Sequence, residues 1–181
     1  SIDFFETHPQ AYWEWFAQEN AREGVAPNAA HRFLAELEKR GSLSAVVTQN
    51  IDGLHQSAGS ERVFELHGNW SRLLCTGCGR RFSIADFDEA RAGTVPRCPS
   101  CASVVRPDIV FYGEMLGSGV LEGAVRAIAD ADMLIVAGTS LVVYPAAGLV
   151  DYYDGDRLVL MNATPTPYDS RANLVIREPV G

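Results

Sequence analysis

Four cysteines carry the clearest chemistry in this chain. Cys75 and Cys78 have two residues between them, as do Cys98 and Cys101, with nineteen residues between the pairs, and no other cysteine occurs in the 181 residues. Paired CxxC knuckles at this separation are the ligand spacing of a tetrahedral Zn²⁺ site. Two disulfides or redox pairs are the alternatives. A chain with neither an export signal nor an unpaired thiol suits both poorly. Four thiolates fill the coordination sphere of zinc and leave no open position, so the expected role is structural. Gly77, Gly79, Pro96 and Pro99 suit tight knuckle turns.

A second concentration of polar groups lies in "TQNIDGLHQSAG", Thr48 to Gly59, directly after the apolar run Ala45-Val46-Val47. Two other short apolar runs end in a similar way. "MLIVAG" leads into Gly138-Thr139-Ser140, and "RLVLMN" leads into Met161-Asn162-Ala163-Thr164. One such cluster is an ordinary turn, because Gly, Asn, Ser and Thr are turn residues. Three favour a nucleotide site. Gly138 permits close backbone approach, Thr139 and Ser140 offer donors to phosphate, and Asn162 can hydrogen-bond a ribose or base.

Those runs have the length of buried parallel strands, and helical patterns separate them: Val120, Leu121, Ala124, Val125 and Ile128 before one, "PAAGLVDYY" before the next. Alternating strand and helix predicts an α/β fold, a doubly wound, Rossmann-like parallel sheet whose ligands bind beyond the carboxyl ends of the strands. Upstream, "DFFETHPQAYWEWFAQENAREG" predicts a helix with Phe4, Phe5, Tyr12, Trp13 and Phe16 on an aromatic face. "PNAAHRFLAELEKRG" predicts another, capped by Asn28, with Ala30, Phe33, Leu34 and Leu37 on one side and Gly41 as its stop. His31 reads as a half-buried structural residue. The expected division is a helical segment 1–28, a discontinuous nucleotide-binding domain 29–70 and 107–181, and a small zinc ribbon 71–106, too short to hold itself together by a core.

Nearly half the residues are hydrophobic and the formal net charge is −8 at pH 7. That charge argues against a nucleic-acid footprint, which needs clustered Lys and Arg. No apolar stretch approaches the roughly 18 to 20 residues of a membrane span, and the N-terminus lacks the pattern of a secretion signal, so a cytoplasmic protein is expected.

Taken in order, "TQNIDGLHQSAG", "ELHGNW", the paired CxxC, "RPDIVFYGE", "AGTSLVVYPAAGLV" and "MNATPTPYD" resemble the sirtuins, the NAD-dependent protein lysine deacylases, over about Asp3 to Asp169. The resemblance implies that Gln49, Asn50 and Asp52 line the pocket for the nicotinamide ribose, and that Gly138, Thr139, Ser140, Asn162 and Ala163 serve the rest of NAD. It makes His67 of "ELHGNW" the general base, with Asn50 and Asp52 as its catalytic companions. An imidazole, which ordinarily titrates at about pH 6.5, is available for that task near neutrality. His55 takes no catalytic role and reads as structural.

The extended segment Ile109 to Gly113 can pair with a peptide added as a further strand. By resemblance Val110, Phe111, Tyr112 and Gly113 bind the acylated lysine peptide, Val110 and Phe111 also bordering the acyl-lysine tunnel, with Leu141 and Val142 on the other flank. The family pattern opens with a strand, a glycine-rich phosphate loop and a Pro-Asp-Phe-Arg type segment, and closes with a helix; these are expected to lie outside Ser1 to Gly181. Besides deacylation with release of nicotinamide and O-acyl-ADP-ribose, two alternatives use the same residues: ADP-ribosyl transfer or NAD hydrolysis, and an inactive NAD- or ADP-ribose-binding zinc module.

Overall fold

The computed structural model describes residues 1–20 and 25–180, so the last four residues of the aromatic segment lie outside the described residues, as does Gly181. In chain order the elements are α1 (Ile2–Thr7), α2 (Pro9–Asn20), α3 (Ala29–Lys39), β1 (Val46–Thr48), α4 (Leu54–Ser57), β2 (Val63–Glu65), β3 (Gly68–Cys75), β4 (Arg81–Ser83), α5 (Asp88–Arg91), β5 (Val105–Ile109), α6 (Ser118–Ala129), β6 (Leu134–Ala137), β7 (Leu158–Met161) and β8 (Leu174–Ile176). They divide into two compact units. The first comprises Ser1–Ala26, Asn50–Gly53 and His67–Met115, and the second Pro27–Gln49, Leu54–Leu66 and Leu116–Gly181.

In the first unit, the predicted aromatic helix is two helices. His8 sits at φ −134°, ψ 54° immediately before Pro9, because the proline ring crowds the preceding residue out of the helical region. The break still delivers Phe5, Tyr12, Trp13 and Phe16 to one core, in which Trp13, Leu73 and Val105 are fully buried. Phe4 departs from the predicted face. It is 48 % exposed and stacks on His8 with ring centroids 5.2 Å apart. The sheet of this unit is antiparallel, in the order β4-β3-β5, with an irregularity in the β3–β5 register between Asn69 and Leu73. Cys75 and Cys98 belong to the same buried cluster as the aromatic residues, so the cysteine module and the helices share a core.

The second unit carries the parallel pairings that strand–helix alternation predicts. β1 pairs with β2, and β6, β7 and β8 form a three-stranded sheet. Leu158 and Leu160 of β7, Ala124 and Ile128 of α6, and Leu149 and Val150 fill its core. Gly123 is required where α6 approaches β2: a Cβ there would lie 2.4 Å from the Phe64 ring. "PAAGLVDYY" forms a 3₁₀ helix, Ala146–Tyr152, in place of the expected α-helix. Its buried positions recur at 146/149 and 147/150, a spacing of three that a helix of three residues per turn places on one side.

α3 begins at the predicted cap. The Asn28 side chain accepts from the His31 N–H at 3.0 Å, and His31 Nδ1 accepts from the Asn28 N–H at 3.3 Å, so the imidazole completes a reciprocal cap. Gly41 follows with φ +73°. The predicted apolar side is only half-buried, and Phe33 is 62 % exposed. Among the described residues no helix is long and apolar enough to cross a membrane.

Candidate functional site

The sulfurs of Cys75, Cys78, Cys98 and Cys101 all lie within 4.8 Å of one another. Cys75 and Cys101 are separated by 3.4 Å and Cys78 and Cys98 by 3.7 Å, much longer than the roughly 2.05 Å of a disulfide. A regular tetrahedron with metal–sulfur bonds of about 2.3 Å has edges of about 3.8 Å, so the donor set fits one zinc ion. The turns are built around it. The N–H groups of Gly77 and Cys78 lie 3.4 Å from the Cys75 sulfur, and a Cβ on Gly77 would fall 2.2 Å from the Ser103 hydroxyl. Hydrogen bonds from the Ser103 side chain and backbone hold the Cys101 thiol down to about 6, favouring the thiolate that a metal needs.

In the second unit the polar clusters sit at the carboxyl ends of parallel strands. Gln49, one residue past β1, places Nε2 3.4 Å from the Thr139 hydroxyl beyond β6. Gly138 adopts φ +64°, which favours glycine, and nothing stands within 4 Å of where its Cβ would be, so backbone is open to a ligand there. The Thr139 hydroxyl accepts from the Leu141 N–H at 3.3 Å. Leu141 itself has φ 54° and is buried, whereas Val142 is exposed. Ser140 and Ala163 are exposed. Asn162 donates from Nδ2 to the Thr164 carbonyl at 2.9 Å, and Arg177 donates from Nη1 to the carbonyls of Asn162 (3.2 Å) and Thr164 (3.0 Å), fixing the turn after β7.

In the first unit Asn50, Ile51, Asp52 and Gly53 lie along β3. The Trp70 N–H donates to the Ile51 carbonyl at 3.1 Å, and a Cβ on Gly53 would come within 3.1 Å of the Asn69 amide. Asn69 is 4 % exposed, and its Oδ1 accepts from the Ser71 N–H and hydroxyl at 2.9 and 2.7 Å. This polar anchor is not among the residues expected from the sequence; its only signal there is an Asn beside the glycine of "ELHGNW".

His67 is half-buried immediately before β3. Its carbonyl accepts from the Val110 N–H at 2.9 Å, and the next residue, Gly68, faces β5 so closely that a Cβ would lie 2.0 Å from the Asp108 carbonyl. The predicted base and the predicted peptide-binding segment are therefore joined through backbone. Along that segment Val110 and Phe111 are half-buried and Tyr112 is 79 % exposed, while the Tyr112 carbonyl accepts from the Ile2 N–H at 3.0 Å.

Known proteins share the sequence and the fold of this chain. Residues 1–145 match the model of the Sir2 family. The chain is 46 % identical over 181 residues to an NAD-dependent protein deacetylase of Clostridium acetobutylicum, covering all of this chain and 74 % of that protein. Against the NAD-dependent protein deacetylase of Cutibacterium acnes it is 47 % identical over 174 residues, covering 96 % of this chain and 70 % of the relative. A solved structure of Sir2 bound to acetylated peptide superposes with a TM-score of 0.90 at 42 % identity, covering 98 % of this chain and 76 % of that one. A second, of Sir2 with p53 peptide and NAD+, gives a TM-score of 0.87 at 41 % identity, with 98 % and 76 % covered.

Proposed function

The chain belongs to the Sir2 family, and we propose on that footing that it works as an NAD-dependent protein lysine deacylase, converting NAD, water and an acylated lysine into nicotinamide, O-acyl-ADP-ribose and the free lysine. NAD supplies the ribose carbon from which nicotinamide departs and the ADP-ribose that accepts the acyl group. Gln49, Asn50 and Asp52 hold the nicotinamide ribose by its hydroxyls. Gly138, Thr139, Ser140, Asn162 and Ala163 bind the remaining phosphates and ribose, where open backbone at Gly138 and the Thr139 and Ser140 hydroxyls suit an anion.

Val110, Phe111, Tyr112 and Gly113 bind the substrate as an added strand, and Leu141 and Val142 are further peptide contacts in this reading. His67 accepts the proton. The observation that carries this reading is the 2.9 Å hydrogen bond from the Val110 N–H to the His67 carbonyl, which ties the base to the segment that presents the acyl-lysine. The four cysteines hold structural zinc. A cytoplasmic location follows the same chemistry, because a reducing compartment keeps four thiolates available to a metal.

The test is deacylation of an acetyl-lysine peptide by the full-length protein with and without NAD. NAD-dependent loss of the acetyl group, with one nicotinamide released per lysine freed, is expected. Equal turnover without NAD refutes the reading, and ADP-ribose released without any acylated lysine moves the protein to NAD hydrolysis.

A further inference from the structure

The two ends of "RPDIVFYGE" carry opposite charges, eight residues apart, and the fold closes them on each other. Arg106 Nη1 and Nη2 lie 2.6 Å from Glu114 Oε1 and Oε2, a bidentate pair. The Arg106 side chain is only 12 % exposed and that of Glu114 27 %. Each partner also grips the backbone they enclose. Arg106 Nη2 donates to the Ile109 carbonyl at 2.8 Å, and Glu114 Oε2 accepts from the Phe111 N–H at 2.8 Å. The guanidinium lies over the Phe111 ring at 4.6 Å from its centroid and over the Phe5 ring at 5.8 Å. The Arg106 pairing, followed by the Phe111 N–H, holds the Glu114 carboxyl below its ordinary range.

We propose that Arg106 and Glu114 are positioning residues for the acyl-lysine peptide, a clamp that fixes the course of Ile109–Gly113, the end of β5 and the turn that follows it, so that the substrate meets a preformed segment. This rests on the deacylase reading. A free loop of five residues would have to be ordered each time a peptide docked, and that ordering entropy would weaken binding. The clamp removes the cost in advance. It holds the segment at its first and middle residues, through the Ile109 carbonyl, the Phe111 N–H and the Phe111 ring, and leaves Tyr112 and Gly113 exposed. A surface ion pair would not do this, because two exposed side chains hold neither geometry nor much energy. The fork geometry of arginine matters, since a lysine cannot span both carboxylate oxygens and the Ile109 carbonyl together.

The experiment compares full-length wild type with Glu114→Ala, Glu114→Gln and Arg106→Lys in steady-state deacylation and in ADP-ribose calorimetry. For Glu114→Ala the peptide KM should rise about tenfold or more, since small displacements of positioned groups carry costs of that order. ADP-ribose affinity and zinc content should stay within about twofold of wild type, an experimental tolerance against that tenfold effect. Glu114→Gln keeps the shape and an acceptor for the Phe111 N–H, so it should fall between wild type and Ala; Arg106→Lys should also be intermediate. If Glu114→Ala does not fold, the isosteric Gln variant carries the decision. A lowered melting temperature with unchanged peptide KM in the folded variants overturns the clamp, leaving an ordinary structural ion pair. Wild type that binds no acetyl-lysine peptide refutes the deacylase reading itself, which is a different result.

Discussion

Replacing Cys98 by Ser tests the metal reading most directly, and its consequence can be worked from the geometry. The four sulfurs are already spaced near the edges of a zinc tetrahedron, so the metal needs little rearrangement to bind. Structural zinc contributes an apparent 10–16 kcal/mol, roughly, in small finger peptides, against about 5–15 kcal/mol for the whole stability of an ordinary domain. Loss of one thiolate of four therefore removes an amount comparable to everything that keeps the module folded. The damage is not confined to the knuckles. Cys98 is 3 % exposed in the cluster that also holds Phe5, Trp13, Leu73 and Val105, so unfolding of the cysteine module should spread to the helices packed on it.

Metal content per chain, thermal melting and Trp fluorescence provide the assay, since Trp13 is fully buried in that core. Wild type should hold one zinc per chain. Cys98→Ser should lose it, melt at lower temperature and shift its fluorescence toward that of solvated indole; a chelator acting on wild type should do the same more slowly. One zinc per chain and an unchanged melting temperature in Cys98→Ser would show that the cysteines have been misread.

Three further outcomes rest on single residues. His67→Ala should lower deacylation by about 10²- to 10⁴-fold while zinc content and melting temperature stay near wild type; retained turnover would remove His67 from the chemistry. Gly68→Ala should destabilise the protein by roughly 1–3 kcal/mol and raise the peptide KM, because φ is +79° there and the added methyl would lie 2.0 Å from the Asp108 carbonyl; a neutral effect in denaturant titration would mean that β3 and β5 are not so closely apposed. Glu114 has its carboxyl lowered in the folded state, so its stabilisation is present above the ordinary Glu range and is lost as pH falls through the lowered value. Wild type should thus lose more melting temperature on acidification through that window than Glu114→Gln does, and parallel curves would count against the ion pair.

Legibility in the sequence divides by distance along the chain. The cysteine spacing, the Asn28 cap with its Gly41 stop, and the succession of α6, β6 and β7 are local patterns, and each fixes a local geometry that the fold keeps. The split between α1 and α2 is also local, written in His8-Pro9, but the aromatic periodicity of the segment runs across it and masks the break. Ala146–Tyr152 reads as an α-helix in the sequence because its apolar content suits either helix type. The exposure of Phe33 and Phe4 is not legible, because periodicity assigns a side to a residue without saying how completely that side is covered. Arg106 with Glu114, and Gly68 against Asp108, depend on how the chain returns on itself, and their residue types alone look like an ordinary ion pair and an ordinary turn.

The places where the chain passes from one compact unit to the other explain why the proposed site is legible only as motifs. It leaves the second unit after Gln49, returns after Gly53, leaves again after Leu66 and returns after Met115. With the first passage, at Ala26–Pro27, these make five; those after Gln49 and Leu66 fall directly beside residues proposed for chemistry, and those after Gly53 and Met115 fall one residue past Asp52 and two past Gly113. At such a passage a strand's alternation stops, since β1 has only three residues and β5 ends at Ile109. Periodicity therefore carries no information about the residues just past a strand end, where core residues such as Leu66 stand beside exposed ones such as Asn50 and Tyr112. Residues without a packing duty are free to be chosen for hydrogen bonding and proton transfer, and for that reason a run such as "TQNID" reads as wasteful for a turn and economical for a site.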